Sequence, residues 1–234
     1  MSPRRVPVSR RDRPAKPPLS REGAVAVALR IMHEEGLERV TMRRLATELD
    51  TGPASLYVYV QNMAELHGAI LDELLAGLRI PAAGAGEGWH DELVGLLCAY
   101  TRLLLDHPSL ARSVLTLRPS GRHYLRLVDA ILGLLRAGGV PVAQAAWGVD
   151  VLLQLGTATA AEHGTRGELA GAEEERELFV MALREALEAE HPHIAEARDD
   201  LFSGSGMARL TWSFTALIAG IRSTAVPVPE IAEG

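Results

Sequence analysis

Apolar residues recur at helical spacing along almost the whole chain. Val25, Leu29 and Met32 mark a first helix, which Ser20 can cap at its start and which Gly36 ends. No segment alternates between apolar and polar residues in the way that a half-buried strand does. The pattern therefore predicts an all-α protein.

Two short helices about a tight turn are predicted next. Thr41 can cap the first of them, residues 50–52 suit the turn, and Pro53 fits the first position of the helix that follows. This arrangement is the outline of a helix-turn-helix motif, in which the helix after the turn enters the major groove of DNA. A few residues in this stretch could therefore determine the function of the chain.

A fourth helix and a break complete the N-terminal part. Asn62 and Glu65 form a capping-box-like start for this helix, which we expect to end near residue 78. The Gly/Ala/Pro-rich segment that follows predicts a domain boundary, with a basic arm over 1–18, a helix-turn-helix domain over 19–80 and a second domain over 88–226.

The second domain is also predicted to be helical, with a mobile loop at the Gly- and acid-rich residues 164–175. We expect nine or ten helices in total. Those of the second domain are predicted over 89–105, 109–117, 121–137, 141–163, 173–189 and 206–222.

Length and composition narrow the class of protein. The chain has 234 residues, of which 47% are apolar, so it can bury a substantial core. No apolar run approaches the roughly 20 residues that a bilayer-spanning helix needs, so we expect a cytoplasmic protein without a membrane partner. The single cysteine, Cys98, lies in an apolar helical pattern that favours a buried packing role.

Charge is divided unevenly between the two parts of the chain. Residues 1–63 hold eleven Arg and Lys against seven Asp and Glu, whereas residues 64–234 hold thirteen against twenty-three. A basic N-terminal part followed by an acidic remainder favours nucleic-acid binding by the N-terminal part only. The arm over 1–18 is rich in Arg and Pro and should be disordered when free. It either lies along DNA phosphates or in a minor groove, or is an unselected solvated terminus.

The helix-turn-helix segment carries a pattern that extends over about 25 positions: Thr41, Leu45, Ala46, Leu49, Ser55, Leu56, Tyr57, Val60 and Leu66. In these residues it resembles the TetR-type transcriptional repressors. The resemblance implies a homodimer that binds a palindromic operator on double-stranded DNA, and a C-terminal domain for dimerisation and for a small-molecule effector of unknown identity. Arg118, Pro119 and Tyr124 carry a second resemblance, to the ligand domain of the tetracycline repressors.

The resemblance assigns DNA contacts to five residues, and Arg44 is a sixth candidate. Arg43 falls where those repressors place an Arg on a base edge, Ser55 where they place a hydroxyl that contacts a base or a phosphate, and Tyr57 where they place a phosphate-contacting Tyr. Arginine can donate two hydrogen bonds to guanine, and hydroxyls suit phosphate oxygens. Tyr57 could instead pack between helices, and Arg44 could equally contact a phosphate or lie on a solvated face. The two remaining groove-facing positions are Ala54 and Tyr59.

Several residues depart from the family pattern. Asp50 stands where the family usually has a left-handed Gly, although Gly52 could take up the strain, and Met63 replaces a phosphate-binding Lys. Val114 and Ala130 replace the metal-binding His and drug-binding Gln of the tetracycline repressors, which argues against a tetracycline–magnesium ligand. We therefore expect neither a cofactor nor a metal.

Histidine spacing gives no reason to change that expectation. His191 and His193 flank Pro192, which should impose an extended local shape, and no metal-binding motif accompanies them.

Candidate ligand-binding residues are Arg118, Trp147 and Gln154. Trp147, Val151 and Gln154 share one helix face, which could line a pocket, pack on a partner subunit or belong to the core. A second face, formed by Leu210, Phe214, Leu217 and Ile221, favours a dimer seam of two helices from each subunit.

The leading hypothesis is a ligand-responsive DNA-binding regulator, released from its operator by a small molecule. The alternative is a helical small-molecule-binding or scaffold protein that no longer binds DNA. An all-α enzyme is a third possibility, but the chain shows no catalytic motif, and we expect no enzymatic activity.

Overall fold

A computed structural model of the chain describes residues 19–81, 88–117, 119–168 and 171–227. Within these ranges the secondary structure consists of eleven α-helices and one 3₁₀ turn, without strands. The all-α prediction is confirmed. The predicted basic arm, residues 1–18, lies outside the described residues, as does most of the predicted interdomain segment.

The chain divides into two compact units, Met1–Leu66 and His67–Gly234. The division falls inside a helix, whereas the predicted boundary lies in the segment after it. This division by contacts does not test the predicted domain ranges 19–80 and 88–226, which stay predictions. No helix of the described part of the chain is both long enough and apolar enough to cross a bilayer.

The first unit is built from short capped helices around a small apolar core. Its elements are α1 (Arg21–Glu35), the 3₁₀ turn Leu37–Arg39, α2 (Met42–Glu48), α3 (Pro53–Leu56) and the start of α4 (Met63–Leu75). The Ser20 side chain accepts a hydrogen bond from the N–H of Gly23 at 3.0 Å, so the predicted cap of α1 is confirmed. Ile31, Leu45 and Leu56 are fully buried and join α1, α2 and α3.

The second unit packs its helices around α8, which contacts α5, α6, α7, α9 and α11. Leu97, Tyr100 and Leu104 of α5 and Phe214 of α11 are fully buried. The helices after α4 are α5 (Trp89–Leu105), α6 (Pro108–Val114), α7 (Arg122–Ala137), α8 (Val142–Glu168), α9 (Ala172–Glu185), α10 (Pro192–Leu201) and α11 (Gly206–Ser223).

Two local predictions in this unit were wrong. The expected loop over 164–175 is mostly helix, because Gly164 packs against α6 rather than ending α8. A Cβ at Gly164 would lie 2.0 Å from Cβ of Pro108. The expected extended shape at His191–His193 is a helix start, because Pro192 occupies the first turn of α10, where a missing N–H costs nothing.

Candidate nucleic-acid interface and internal pocket

The turn between α2 and α3 is held by a cap and by a left-handed residue. Thr41 Oγ1 accepts from the N–H of Arg44 at 3.1 Å, and the N–H of Thr51 donates to Ala46 O at 2.9 Å. Asp50 has φ 48°, and among the described residues no other non-glycine has a positive φ. Gly52 has φ −81°, so it does not take up the strain, which stays on Asp50.

The helix after the turn presents its first residues to solvent. Leu56 and Val60 are buried and anchor the segment. Ala54 and Ser55 are exposed in consequence, and Tyr57 is 51% exposed rather than packed between helices.

Two further residues follow in the same segment. Tyr59 is half-buried. The sequence interpretation did not include Val58, which is also exposed and lies beside Tyr57. The buried pair Leu56 and Val60, one helical turn apart, was the available signal that the residues between them face outward.

The two arginines of α2 have different surroundings. Arg43 is exposed, and its guanidinium has no ion pair or hydrogen bond to any described residue. Arg44 is half-buried and lies 2.7 Å from Glu35 of α1 and 3.0 Å from Glu48 of α2. Arg30 of α1 also bonds Glu48 and lowers the pKa of that carboxyl group. Arg44 therefore ties α2 to α1, while Arg43 remains available to a ligand.

The start of α4 has the predicted capping box. The N–H of Glu65 donates to Asn62 Oδ1 at 2.8 Å, and Glu65 Oε2 accepts from the N–H of Gln61 at 2.8 Å. Glu65 also lies 3.5 Å from Arg21 at the start of α1. Met63, where the family has a Lys, is half-buried.

A pocket of about 120 Å³, partly open to solvent at Asp150 and Gln154, lies in the second unit among α4, α5, α6, α7 and α8. Its described polar lining residues include Tyr100, Tyr124, Asp150, Gln154 and Thr157. Gln154 thus lies at a pocket, and its role in ligand binding stays a prediction. Trp147 lies elsewhere on α8, and Arg118 lies outside the described residues.

A buried hydrogen-bond pair forms part of the pocket wall. The hydroxyl oxygens of Tyr100 and Thr157 lie 2.7 Å apart, and Thr157 also donates to Leu153 O at 2.9 Å. Burial raises the pKa of Tyr100, so its phenol is neutral at any physiological pH. The sequence interpretation missed Tyr100 and the pairing of the two hydroxyl groups, because this pairing depends on how α5 packs on α8.

A buried carboxylate joins α4 to the start of α7. Asp72 is 8% exposed, and its Oδ1 accepts from the N–H groups of His123 and Tyr124 at 2.9 and 2.8 Å. It thereby satisfies two of the unpaired donors at a helix N-terminus. Leu71, the residue before Asp72, and Tyr124, one of its two partners, both line the pocket.

A surface groove of about 400 Å³ runs between α8 and α11. Trp147, 61% exposed, lies in it with Val151, Leu217 and Ile221. The side-chain amide of Gln144 in α8 links the two helices, because it donates a hydrogen bond to Ile221 O at 2.8 Å.

Two residues of the predicted dimer seam are already buried within the chain itself. Leu210 and Phe214 are buried in the protomer's own core, so the expectation that they belong to the seam was wrong. Only Leu217 and Ile221 of that predicted face line the groove.

Metal-binding side chains do not gather in the described residues: no group of three or more His, Cys, Asp or Glu could hold an ion there.

A capped helix-turn-helix with a solvent-facing Arg, and a separate helical unit containing a pocket, together define the class of one-component transcriptional regulators. Residues 24–70 match the family model described as bacterial regulatory proteins, tetR family. Residues 80–225 match the tetracyclin repressor-like C-terminal domain. Because this second match alone covers more than half of the chain, the chain belongs to the TetR family.

Related proteins agree with this assignment. A crystal structure of a transcription regulator from Streptomyces coelicolor is 54% identical, with a TM-score of 0.76 over 92% of this chain and 100% of that chain. ActR from the same organism, in complex with actinorhodin, is 30% identical, with a TM-score of 0.76 over 88% of this chain and 96% of that chain. The class D tetracycline repressor of Escherichia coli is 33% identical over 45% of this chain and 49% of its own length. The chain spans about half the length of the curated relatives that it matches.

Proposed function

We propose that this chain is a ligand-responsive transcriptional regulator, in which a homodimer binds a palindromic operator and a small molecule in the pocket releases it. The observation that carries the proposal is a capped helix-turn-helix on which Arg43, Ser55 and Tyr57 are all exposed, with no partner for the Arg43 guanidinium among the described residues. Arginine can contact guanine, and the two hydroxyls suit phosphate oxygens. Ala54 can contact a thymine methyl group.

Arg44 has a positioning role in this proposal. Its ion pair with Glu35 of α1 holds α2 against α1, while its second pair, with Glu48, lies within α2, so Arg44 helps to position the helix that carries Arg43. A guanidinium with two carboxylate partners has less to gain from a phosphate.

The second copy of the chain would occupy the apolar face of α8 and α11. Trp147 is 61% exposed and Trp212 is 70% exposed, although tryptophan is seldom left in water without a partner. Both residues belong to the helices that border the groove. Symmetric pairing of this face would bury the groove and set two helix-turn-helix motifs on one palindrome.

Replacing Trp147 with Asp should convert the dimer to a monomer, because the substitution would bury an unpaired charge in the interface. Analytical ultracentrifugation measures the change. Leu125→Asp is the matched control, since Leu125 of α7 is 57% exposed and lies outside the groove. If both variants stayed dimeric, the second copy would have to bind elsewhere.

Ligand response would pass through α4, which begins in the first unit and carries Leu71 in the pocket wall. Ligand pockets commonly hold about 300–1,000 Å³, so an effector larger than a single ring must displace part of the wall. Asp72 joins that part of α4 to α7 through two hydrogen bonds. The similar protein ActR has been solved in complex with actinorhodin, which supports a small-molecule effector for this chain.

Selection from random DNA duplexes tests the proposed function. The chain should enrich a palindrome, and its affinity for that palindrome should fall steeply with salt as phosphate counterions are released, by about 10³-fold or more for several phosphate contacts between low and physiological salt. A selection that enriched no palindrome would instead favour a helical ligand-binding protein that does not bind DNA.

A further inference from the structure

Tyr100 and Thr157 contribute two hydroxyl groups to the pocket wall. Their hydrogen-bond partners determine which hydroxyl donates and which accepts. Thr157 Oγ1 lies 2.9 Å from Leu153 O, one turn earlier in α8, and donates to it. A threonine hydroxyl has only one proton. The Tyr100 hydroxyl, 2.7 Å from Thr157 Oγ1, therefore donates to Thr157.

This assignment leaves the Tyr100 oxygen as a hydrogen-bond acceptor for any guest. If Thr157 donated to Tyr100 instead, the bond to Leu153 would be lost and the buried phenol O–H would have no acceptor among the described residues. A buried donor without a partner is costly, so the first arrangement is favoured. Tyr100 keeps its proton because burial raises its pKa.

The other polar groups of the pocket include a further hydrogen-bond acceptor. Asp150 lines the same pocket, and its carboxylate oxygens accept hydrogen bonds. Gln154 and Tyr124 can donate or accept, so they do not alter the balance. The described lining therefore offers two acceptors without a matching obligate donor.

We propose that the effector of this regulator is a hydrogen-bond donor, and that the part of it entering the pocket is a ring of about single-ring size with a hydroxyl or N–H directed at the Tyr100 oxygen. The inference rests on the proposed function, since it names the chemistry of that function's effector. The size follows from the cavity of about 120 Å³, since an engineered cavity of about 150 Å³ holds benzene.

Two small probes of nearly equal shape test the donor requirement on the full chain. Phenol and pyridine N-oxide each carry one oxygen on a six-membered aromatic ring, but phenol can donate and pyridine N-oxide can only accept. Ligand-observed NMR titration gives both dissociation constants. Phenol should bind about fivefold more tightly, the effect of one net hydrogen bond.

Two isosteric variants assign that preference to the hydroxyl pair. Tyr100→Phe removes the acceptor, so the preference for phenol should disappear. Thr157→Val removes the acceptor that holds the Tyr100 proton, so the Tyr100 hydroxyl becomes free to donate and the preference should shift toward pyridine N-oxide. The matched control is Thr101→Val, because Thr101 is buried and donates to Leu97 O at 2.9 Å without lining the pocket. This variant should keep the wild-type preference.

Equal or tighter binding of pyridine N-oxide to the wild-type chain overturns the proposal, and so does the absence of any phenol binding. A preference that survives Tyr100→Phe overturns it as well. Operator binding by the wild-type chain without a probe is measured separately. A chain that binds its operator but prefers the acceptor probe refutes only this inference, whereas a chain that selects no DNA refutes the proposed function.

Discussion

Arg43→Ala should weaken operator binding by at least tenfold while leaving the fold intact. An Arg that donates two hydrogen bonds to a guanine contributes about 1–3 kcal/mol, and a homodimer on a palindrome loses two such contacts. Arg43 is exposed and has no ion pair to another described residue, so the substitution should break no contact that stabilises α2. Fluorescence anisotropy at one fixed salt concentration measures the loss.

Arg126→Ala is the matched control for that measurement, because Arg126 is an exposed Arg on a helix of the second unit. It removes the same charge from the chain without touching the helix-turn-helix. Affinity should therefore fall far more for Arg43→Ala than for Arg126→Ala. Equal affinities of the two variants would contradict the assignment of Arg43 to a base contact.

Helix starts were predictable from the sequence because a cap depends on residues close together in the chain. Ser20 and Thr41 accept hydrogen bonds from N–H groups three residues on, and Asn62 does the same with Glu65. The turn was predictable for the same reason, since Asp50 is among the few residues that tolerate φ 48°.

Features that depend on distant parts of the chain were not predictable. Gly164 looked like a helix end, but it permits close packing of α8 on Pro108, which is far away in sequence. Asp72 gave no local signal either, because its partners His123 and Tyr124 are 51 and 52 residues away. Only the packing of α4 on α7 shows that this carboxylate has a role.

Candidate site residues illustrate the same limit. Trp147 and Gln154 share a helix face, but their separation along α8 is about 10 Å. One therefore lies in the groove beside α11 and the other lines the pocket. Helical periodicity gives the direction of a side chain but not what stands opposite it. Arg44 is similar, because only the arrangement of α1 beside α2 brings Glu35 to it.

Gly121→Ala should strongly destabilise the second unit. Gly121 has φ −69°, which alanine adopts freely, so the backbone itself accepts the substitution. The added Cβ, however, would lie 2.1 Å from Cγ of Asp72. Either the carboxylate moves and its two hydrogen bonds to α7 are lost, or α7 shifts. We expect the free energy of unfolding to fall by about 3 kcal/mol.

Thermal denaturation should show that loss as a decrease in Tm of roughly 6–12 °C. Gly95→Ala is the matched control, because Gly95 lies within α5 and a Cβ added there would meet no neighbouring atom within 4 Å. That variant should be stabilised by up to about 1 kcal/mol, the helix propensity difference between the two residues. Equal Tm values for the two variants would show that Asp72 does not hold the position it has in the structure.

A double-mutant cycle with Asp72→Ala separates the steric clash from a general effect of the methyl group. Asp72→Ala removes the hydrogen bonds to His123 and Tyr124 and is itself destabilising. It also removes the atoms that the new Cβ meets, so adding Gly121→Ala to it should cost little. The two changes should therefore be less than additive, with an interaction free energy of about 1–3 kcal/mol. Strict additivity would mean that the alanine at position 121 disturbs the unit through a contact other than Asp72.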